Sequence, residues 1–343
     1  MKRIIRGFRW SAIPNSAYIL LILFLYFGFT VGKFATPANI STTILQAAPL
    51  ITVSMGMALV IMAGGVDLSV GGCISLSAVV AGLTLRAGAH WSVSILAACG
   101  SGLAVGVLNG FVVQKLHVVP FIATFGMASI AQGLANTICE SRTVYWESSL
   151  YPTVKALGGN VLSLQIGPTT KAVDMLQISY TLLACVILVI IFNVLFRTTR
   201  LRRYIYAIGD NENTARLAGI SVAKWRILAF AISGTFAGIA GYMLLLRTQS
   251  VQPTIGDGID FYCVVAAVLG GNSLRGGKGS IPGAICGSLV LYSIRSALSL
   301  SGVSTFWVQI TVGCVLIIGL LLNNVAGLFS AKIKRWRGGV NHA

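Results

Sequence analysis

Residues 176–196 read LQISYTLLACVILVIIFNVLF and contain no Asp, Glu, Lys or Arg. Because a helix needs about 20 apolar residues to cross the hydrocarbon core of a bilayer, this stretch predicts a transmembrane helix. The residues that follow, RTTRLRR at 197–203, include four arginines. Cations cluster at the cytoplasmic ends of membrane helices, so the chain is predicted to reach the cytoplasm at this point.

The composition of the whole chain supports the same interpretation. Hydrophobic residues make up 56% of the 343 positions and charged residues 10%, whereas a soluble protein carries about 25% charged residues. The sequence therefore argues against a soluble enzyme, a disordered chain and a nucleic-acid-binding domain, although the net charge is +17. We expect the lipid bilayer to surround the chain and no nucleic acid to bind it.

Apolar runs recur along the chain and predict an all-α polytopic membrane protein with about ten transmembrane helices. Residues 1–343 are interpreted as a single transmembrane domain. The ten predicted spans are residues 17–35, 43–63, 70–86, 91–114, 118–138, 176–196, 225–246, 261–273, 281–301 and 305–323.

The distribution of cations predicts the orientation of these spans. With the N-terminus in the cytoplasm, the alternating topology places 18 Lys and Arg residues inside and 6 outside. This asymmetry predicts that both termini are cytoplasmic. The longest outside loop is then 139–175 and the longest inside loop 197–224, and neither is long enough for a separate domain of about 100 residues. The chain thus has no room for a domain of its own that hydrolyses ATP or captures a solute.

The inside loop predicts a short helix with its own start and end. Asp210 or Asn211 can cap its N-terminus, and Gly219 can end it in the left-handed conformation. Between them Glu212 and Arg216 are four residues apart with the acid first, the favourable order for an ion pair on a helix. This helix is interpreted as a docking element for a soluble partner; the alternative is a solvated loop that only orients the chain.

Two further positions are candidates for a solute pathway or a hinge. Asp67 follows Gly64 and Gly65 between the second and third spans, where it can cap a helix, form a hinge or contact a solute. Arg295 lies inside the ninth span. Its side chain can either extend to the outer surface or line a polar pathway.

Small residues four apart predict close contacts between helices. Gly102, Gly106 and Gly110 form such a series in the fourth span, and Gly234 and Gly238 form another in the seventh. Their shared helix faces allow two backbones to approach each other closely. Ordinary close packing and a sliding or gating interface both agree with this pattern.

The sequence predicts no catalytic, cofactor or metal site. Residues 271–280, GNSLRGGKGS, resemble a phosphate-binding loop, but Asn272 stands where the loop needs glycine and Gly279 where it needs Ser or Thr. No pair of carboxylates suggests acid-base chemistry, and the cysteines and histidines have no metal-ligand spacing. We therefore predict that the chain is not an enzyme.

Three segments together resemble a known family. They are residues 56–71, GMALVIMAGGVDLSVG; residues 206–220, which begin YAIG and end ARLAGI; and residues 268–279, VLGGNSLRGGKG. In this order they resemble the ribose-type permeases of ATP-binding-cassette importers, and the likeness extends over about residues 45–323.

The resemblance implies how such a chain works. Two permease subunits would form the pathway in the bacterial inner membrane, a cytoplasmic ATP-binding subunit would hydrolyse ATP, and a periplasmic or extracellular sugar-binding protein would deliver the solute. The resemblance also implies a helix that couples the permease to the ATPase. The residues it assigns to this helix are Gly209, Asn211, Glu212, Ala215, Arg216 and Gly219.

The main hypothesis is therefore a sugar-importer subunit that works by alternating access. A pentose or hexose is the favoured solute, with a furanone, a nucleoside or a branched amino acid as alternatives. The competing hypothesis is an ion-coupled secondary transporter, which requires carboxylates inside the membrane on the transport route. Asp67 is its one candidate.

Overall fold

The apolar runs of the sequence form helices. The protein is described here from a computed structural model, over residues 14–147, 152–166, 175–304, 306–311, 313, 314 and 317. The helices are α1 Asn15–Thr30, α2 Pro37–Met62, α3 Val70–Arg86, α4 Trp91–Lys115, α5 Pro120–Ile138, α6 Pro152–Leu157, α7 Tyr180–Thr198, α8 Arg200–Asp210, α9 Glu212–Leu217, α10 Val222–Thr248, α11 Ile259–Leu269 and α12 Ile281–Leu300.

A helix overlaps each of the first nine predicted spans. Six of them, α2, α4, α5, α7, α10 and α12, are long and apolar enough to cross a membrane, while α1, α3 and α11 are shorter apolar helices. The all-α polytopic prediction is confirmed. Of the tenth predicted span, residues 306–311 are helical and most of the remainder lies outside the described residues.

Two predicted boundaries were wrong. The sixth span was started too early, because residues 175–179 form strand β2 (Met175–Ser179), which pairs antiparallel with β1 (Asn160–Gln165). The eighth span was too long, because α11 ends at Leu269. Its 11 residues extend over about 16 Å, roughly half of a bilayer core.

The loops between the helices meet in two groups at opposite ends of the bundle. At one end, the backbone N–H of Gly277 donates to the Met62 carbonyl oxygen at 3.0 Å, and the Tyr206 hydroxyl donates to the Gly279 carbonyl at 2.6 Å. At the other end, Val144 and Val251 form a β-bridge. Each group contains only segments that the alternating topology places on one side. That the first group faces the cytoplasm follows from the cation count and remains a prediction.

Helix α2 forms the centre of the bundle. Every residue from 47 to 62 in this helix is buried, as expected for a helix that is apolar on all sides. Helices α5 and α7 instead expose large apolar side chains on their outer faces, including Phe121, Ile122, Ile190 and Ile191. Such faces suit contact with lipid.

The two predicted glycine series pack against each other. Gly102 of α4 lies against the backbone of Gly234 and Gly238 in α10, and Gly106 lies against the carbonyl of Phe230. A Cβ at Gly106 would overlap that carbonyl oxygen. The predicted close contact between these two helices is thus confirmed.

The tight contact at Gly106 gives a direct test of this packing. We expect Gly106→Ala to destabilise the protein by about 1–3 kcal/mol, the usual effect of overfilling a packed core, because α4 would be pushed away from α10. Gly100→Ala in the same helix is the matched control, because no atom lies within 4 Å of the added Cβ there. The measurement is the melting temperature of each purified variant in detergent. Equal melting temperatures for the two variants would contradict the packing described here.

Candidate functional site

The predicted short helix is present as α9. Asn211 is its N-cap, and its side-chain oxygen accepts a hydrogen bond from the Thr214 N–H at 3.0 Å. After the helix, Gly219 has φ +78°, and the Ile220 N–H donates to the Ala215 carbonyl at 3.0 Å. This is the Schellman arrangement that ends many helices. Of the two residues predicted as possible caps, Asn211 is the N-cap of α9, and Asp210 is the last residue of α8.

The ion pair predicted on this helix is also present and is part of a longer series of contacts. Glu212 Oε1 lies 2.6 Å from Arg216 Nη2, and Glu212 Oε2 lies 2.8 Å from Arg226 Nη1. Arg226 is the fifth residue of α10, and its Nε donates to the Ala63 carbonyl at 3.1 Å. The series therefore runs from α9 through α10 to the turn between α2 and α3.

The two arginines affect the titration of Glu212. Its partial burial alone would raise its pKa, but the nearby charge of Arg226 and the hydrogen bonds from Arg216 and Arg226 outweigh burial and lower the pKa. A carboxylate with a lowered pKa keeps its pairs at neutral pH and loses them only when the pH falls through that lowered value. Sequence reasoning missed Arg226, although a cation at the first turn of an apolar span was a signal for it.

The buried and exposed faces of α9 differ in character. Ala215 is buried with Ile208 and Val222 in a small apolar cluster, which fixes α9 against α8 and the start of α10. Leu217 is 90% exposed. One face of α9 therefore packs against the bundle and the other faces outward.

Gly209 lies in α8, so the predicted coupling segment spans two helices. A Cβ at Gly209 would overlap the Met62 carbonyl and the Gly277 N–H. Gly64 has φ +83° and lies near Arg226 and Gly209. Gly64, one of the two predicted hinge glycines, thus meets the predicted coupling segment, whereas Gly65 lies near Val60, Phe230 and Pro120.

Asp67 is fully buried and lies in a polar network. Its Oδ1 accepts hydrogen bonds from the Ser69 hydroxyl at 2.6 Å and from the Ser69 N–H at 3.1 Å, and its Oδ2 accepts one from the Ser233 hydroxyl of α10 at 2.8 Å. Asn109 of α4 donates to the Ser69 hydroxyl at 2.7 Å. Asp67 therefore joins the turn before α3 to α10 and, through Ser69, to α4.

The prediction that Asp67 caps α3 was wrong, because Ser69 holds the N-cap position and no side chain makes a capping bond there. The side chain of Asp67 has an exposed fraction of 0%. The hinge interpretation fits its place in the turn.

Arg295 is exposed and lines a cavity of about 200 Å³, named here the outer cavity. Both sequence interpretations, extension to the outer surface and lining of a polar pathway, agree with this position. The polar side chains of the outer cavity come from α10, α11, α12 and the loop before α11. They are Arg247, Thr248, Asp257, Tyr262, Tyr292 and Arg295.

Comparisons with known proteins agree with this architecture. The family model described as "Branched-chain amino acid transport system / permease component" matches residues 39–320. The chain is 31% identical over 315 residues to the ribose import permease protein of Escherichia coli (strain K12). The aligned region covers 92% of this chain and 94% of that relative. It is 31% identical over 317 residues to the fructose import permease protein of Rhizobium meliloti, covering 91% of this chain and 85% of the relative.

The name of a third relative states the class of transporter. The L-arabinose ABC transporter permease protein of Azospirillum brasilense is 30% identical over 320 residues, covering 93% of this chain and 90% of that relative. The likeness extends along nearly the full length of each protein, so it concerns the whole bundle and not one motif. The chain belongs to the family of permease components of ATP-binding-cassette importers.

Proposed function

We propose that a sugar crosses the bacterial inner membrane through this chain. As a permease component it is the membrane-spanning, multi-pass subunit of an importer, and ATP hydrolysis belongs to a separate subunit. The observation that supports a sugar is that the ribose, fructose and L-arabinose permeases match over almost their full length. The description of the family model keeps a branched-chain amino acid as the alternative solute.

The partners follow from the same assignment. Importers of this family work with an ATP-binding subunit and a solute-binding protein. We further propose that a second permease subunit completes the pathway, that the sugar-binding protein docks at the periplasmic or extracellular side, and that both termini of this chain are cytoplasmic. Residues 1–343 are proposed to form one transmembrane domain.

The family assignment also replaces the competing hypothesis of an ion-coupled transporter. That hypothesis needed a carboxylate on the transport route, and Asp67, its candidate, is buried among hydroxyl and amide donors.

The coupling route is proposed to begin at α9. The exposed Leu217 and the helix surface around Glu212 and Arg216 would bind the ATP-binding subunit. Closure of that subunit would move α9, and the Glu212–Arg226 ion pair would carry the movement to α10 and to the Ala63 carbonyl. A shift of the pathway from 1:99 to 99:1 between two states requires about 5.5 kcal/mol of differential interaction, which ATP binding to the partner would supply.

Reconstitution tests the import function. The chain, its co-purifying ATP-binding subunit and its solute-binding protein are placed in proteoliposomes, and ATP hydrolysis is measured with ribose, fructose, L-arabinose and leucine. Sugar-stimulated hydrolysis together with sugar uptake supports the proposal. Stimulation by leucine alone, or transport along an ion gradient without ATP, contradicts it.

The coupling role of α9 gives the second prediction. We expect the double variant Glu212→Ala/Arg216→Ala to lower sugar-stimulated ATP hydrolysis at least about tenfold, equivalent to about 1.4 kcal/mol of lost interaction, while basal hydrolysis of the ATP-binding subunit is retained. The expected reason is that α9 loses its ionic link to Arg226. The measurement is stimulated against basal hydrolysis in the same vesicles.

A matched control is available at the other end of the bundle. Glu140→Ala/Arg142→Ala removes an exposed pair with a separation of 3.6 Å and the same two charges. It should leave stimulated hydrolysis unchanged, because exposed pairs contribute about 0–1 kcal/mol and this one lies far from α9. If both double variants lose stimulation equally, α9 has no special role in coupling.

Asp67 is proposed to anchor the turn between α2 and α3 and so act as part of a hinge, not as a solute contact. It holds Ser69 and Ser233 together, and Arg226 holds the other end of the same turn at Ala63. The turn would therefore move together with α10.

The third prediction concerns this anchor. Asp67→Ala should destabilise the protein by about 1–3 kcal/mol for each buried donor left without an acceptor, whereas Asp67→Asn should cost clearly less because an amide oxygen of similar shape still accepts a hydrogen bond. Glu140→Ala, an exposed carboxylate, is the control. The readout is the melting temperature in detergent. An Asp67→Ala variant as stable as the control would refute the anchor.

A further inference from the structure

The outer cavity extends from one end of the bundle toward its middle. Part of its wall lies at the end of α10, where Thr248 is the last residue. Its inner wall includes Pro49 and Leu50, which are 12 and 13 residues into α2, about 18–20 Å from the start of that helix. The cavity thus runs from one end of the bundle to about its middle, the depth at which transporters bind their solutes.

The charges in this cavity are not balanced. Arg247 and Arg295 supply two guanidinium groups and Asp257 one carboxylate. Within the described parts of the chain, the three ion pairs involve neither of these arginines. Arg295 is about five residues, or 8 Å, before the end of α12, and its guanidinium lies 5.8 Å from the ring centre of Tyr292. Both arginines and Tyr292 line the same cavity.

Two exposed guanidinium groups that line one cavity favour an anion there. Charged side chains within membrane segments usually face a water-filled cavity and mark a solute pathway, and the planar guanidinium binds carboxylates through two parallel hydrogen bonds. The remaining polar groups, the two tyrosines and Thr248, can bind hydroxyl groups. The small volume, about 200 Å³, lies below the range of drug-sized ligand pockets and suits a single small solute.

We propose that the outer cavity binds a sugar acid, with the carboxylate of the solute held by Arg247 and Arg295 and its hydroxyl groups bound by the tyrosines, Thr248 and Asp257. This inference depends on the proposed import function for its physiological meaning, and it narrows the substrate class from sugars in general to sugars that carry a carboxylate. The surplus positive charge distinguishes this assignment from a neutral sugar.

Binding is tested on the purified full-length chain with its co-purifying partners in detergent. The melting temperature is followed against D-glucuronate, D-gluconate, D-glucose and potassium phosphate at constant ionic strength. We expect a saturable rise with glucuronate or gluconate and none with glucose. Arg295→Gln and Arg247→Gln should each raise the half-saturating concentration about tenfold or more, the effect of losing one charge-assisted hydrogen bond.

Two further variants keep the test decisive. Arg295→Lys retains the charge and loses the paired geometry, so it should bind between wild type and Arg295→Gln. Arg142→Gln, at an exposed arginine outside the cavity, should bind as wild type does. The proposal is overturned by an equal rise with glucose, by no rise with either acid, or by unchanged affinity in both glutamine variants. A phosphate effect as large as that of the acids would instead indicate a lipid headgroup site and would also overturn it.

The outer-cavity proposal and the proposed import function can fail independently of each other. If a neutral sugar stimulates ATP hydrolysis and no sugar acid raises the melting temperature, the outer-cavity proposal fails and the importer assignment stands. If the acids bind through the two arginines but no sugar or sugar acid stimulates hydrolysis, the cavity assignment stands and the proposed import function fails.

Discussion

The close approach of backbones at Gly209 connects the exposed part of the structure to its core. A side chain at this position would overlap the Met62 carbonyl, which also accepts a hydrogen bond from Gly277 at 3.0 Å. Three segments, the end of α8, the end of α2 and the turn before α12, therefore touch without side chains between them. Packed interiors are stiff, so α8 cannot shift without displacing the end of α2. A helix as short as α9 can act on a large bundle only because it is joined to such a junction.

The turn between α2 and α3 is held at both ends by helix α10. Arg226 binds the Ala63 carbonyl at its start, and Ser233 binds Asp67 near its end. A buried carboxylate is costly unless hydrogen bonds satisfy it, and here Ser69 and Ser233 donate to both of its oxygens. The same α10 packs along its length against the glycines of α4. Helices α3, α4 and α10 and the turn are thus expected to move as one body.

The parts of this architecture that depend on local sequence were predictable, and the parts that depend on distant contacts were not. Apolar run length identified the long helices, and capping chemistry identified α9 with its Glu212–Arg216 pair. The partners of Arg226 and Asp67 could not be predicted, because Ala63 and Ser233 lie 163 and 166 residues away from them along the chain. The hairpin of β1 and β2 was missed because its short apolar second strand continues directly into α7 and was counted with that helix.

Helix α2 runs from the Gly209 junction to the outer cavity and so connects the two ends of the bundle. Its last residue, Met62, lies at the Gly209 junction, and Pro49, 13 residues or about 20 Å earlier, lines the outer cavity. Between these points every residue of α2 is buried, so the helix is braced by neighbours on all sides and moves only with them. A displacement of α8 therefore reaches the wall of the outer cavity through a single braced helix. The junction where an ATP-driven partner would act and the cavity where a solute would bind are in this way parts of one mechanical unit.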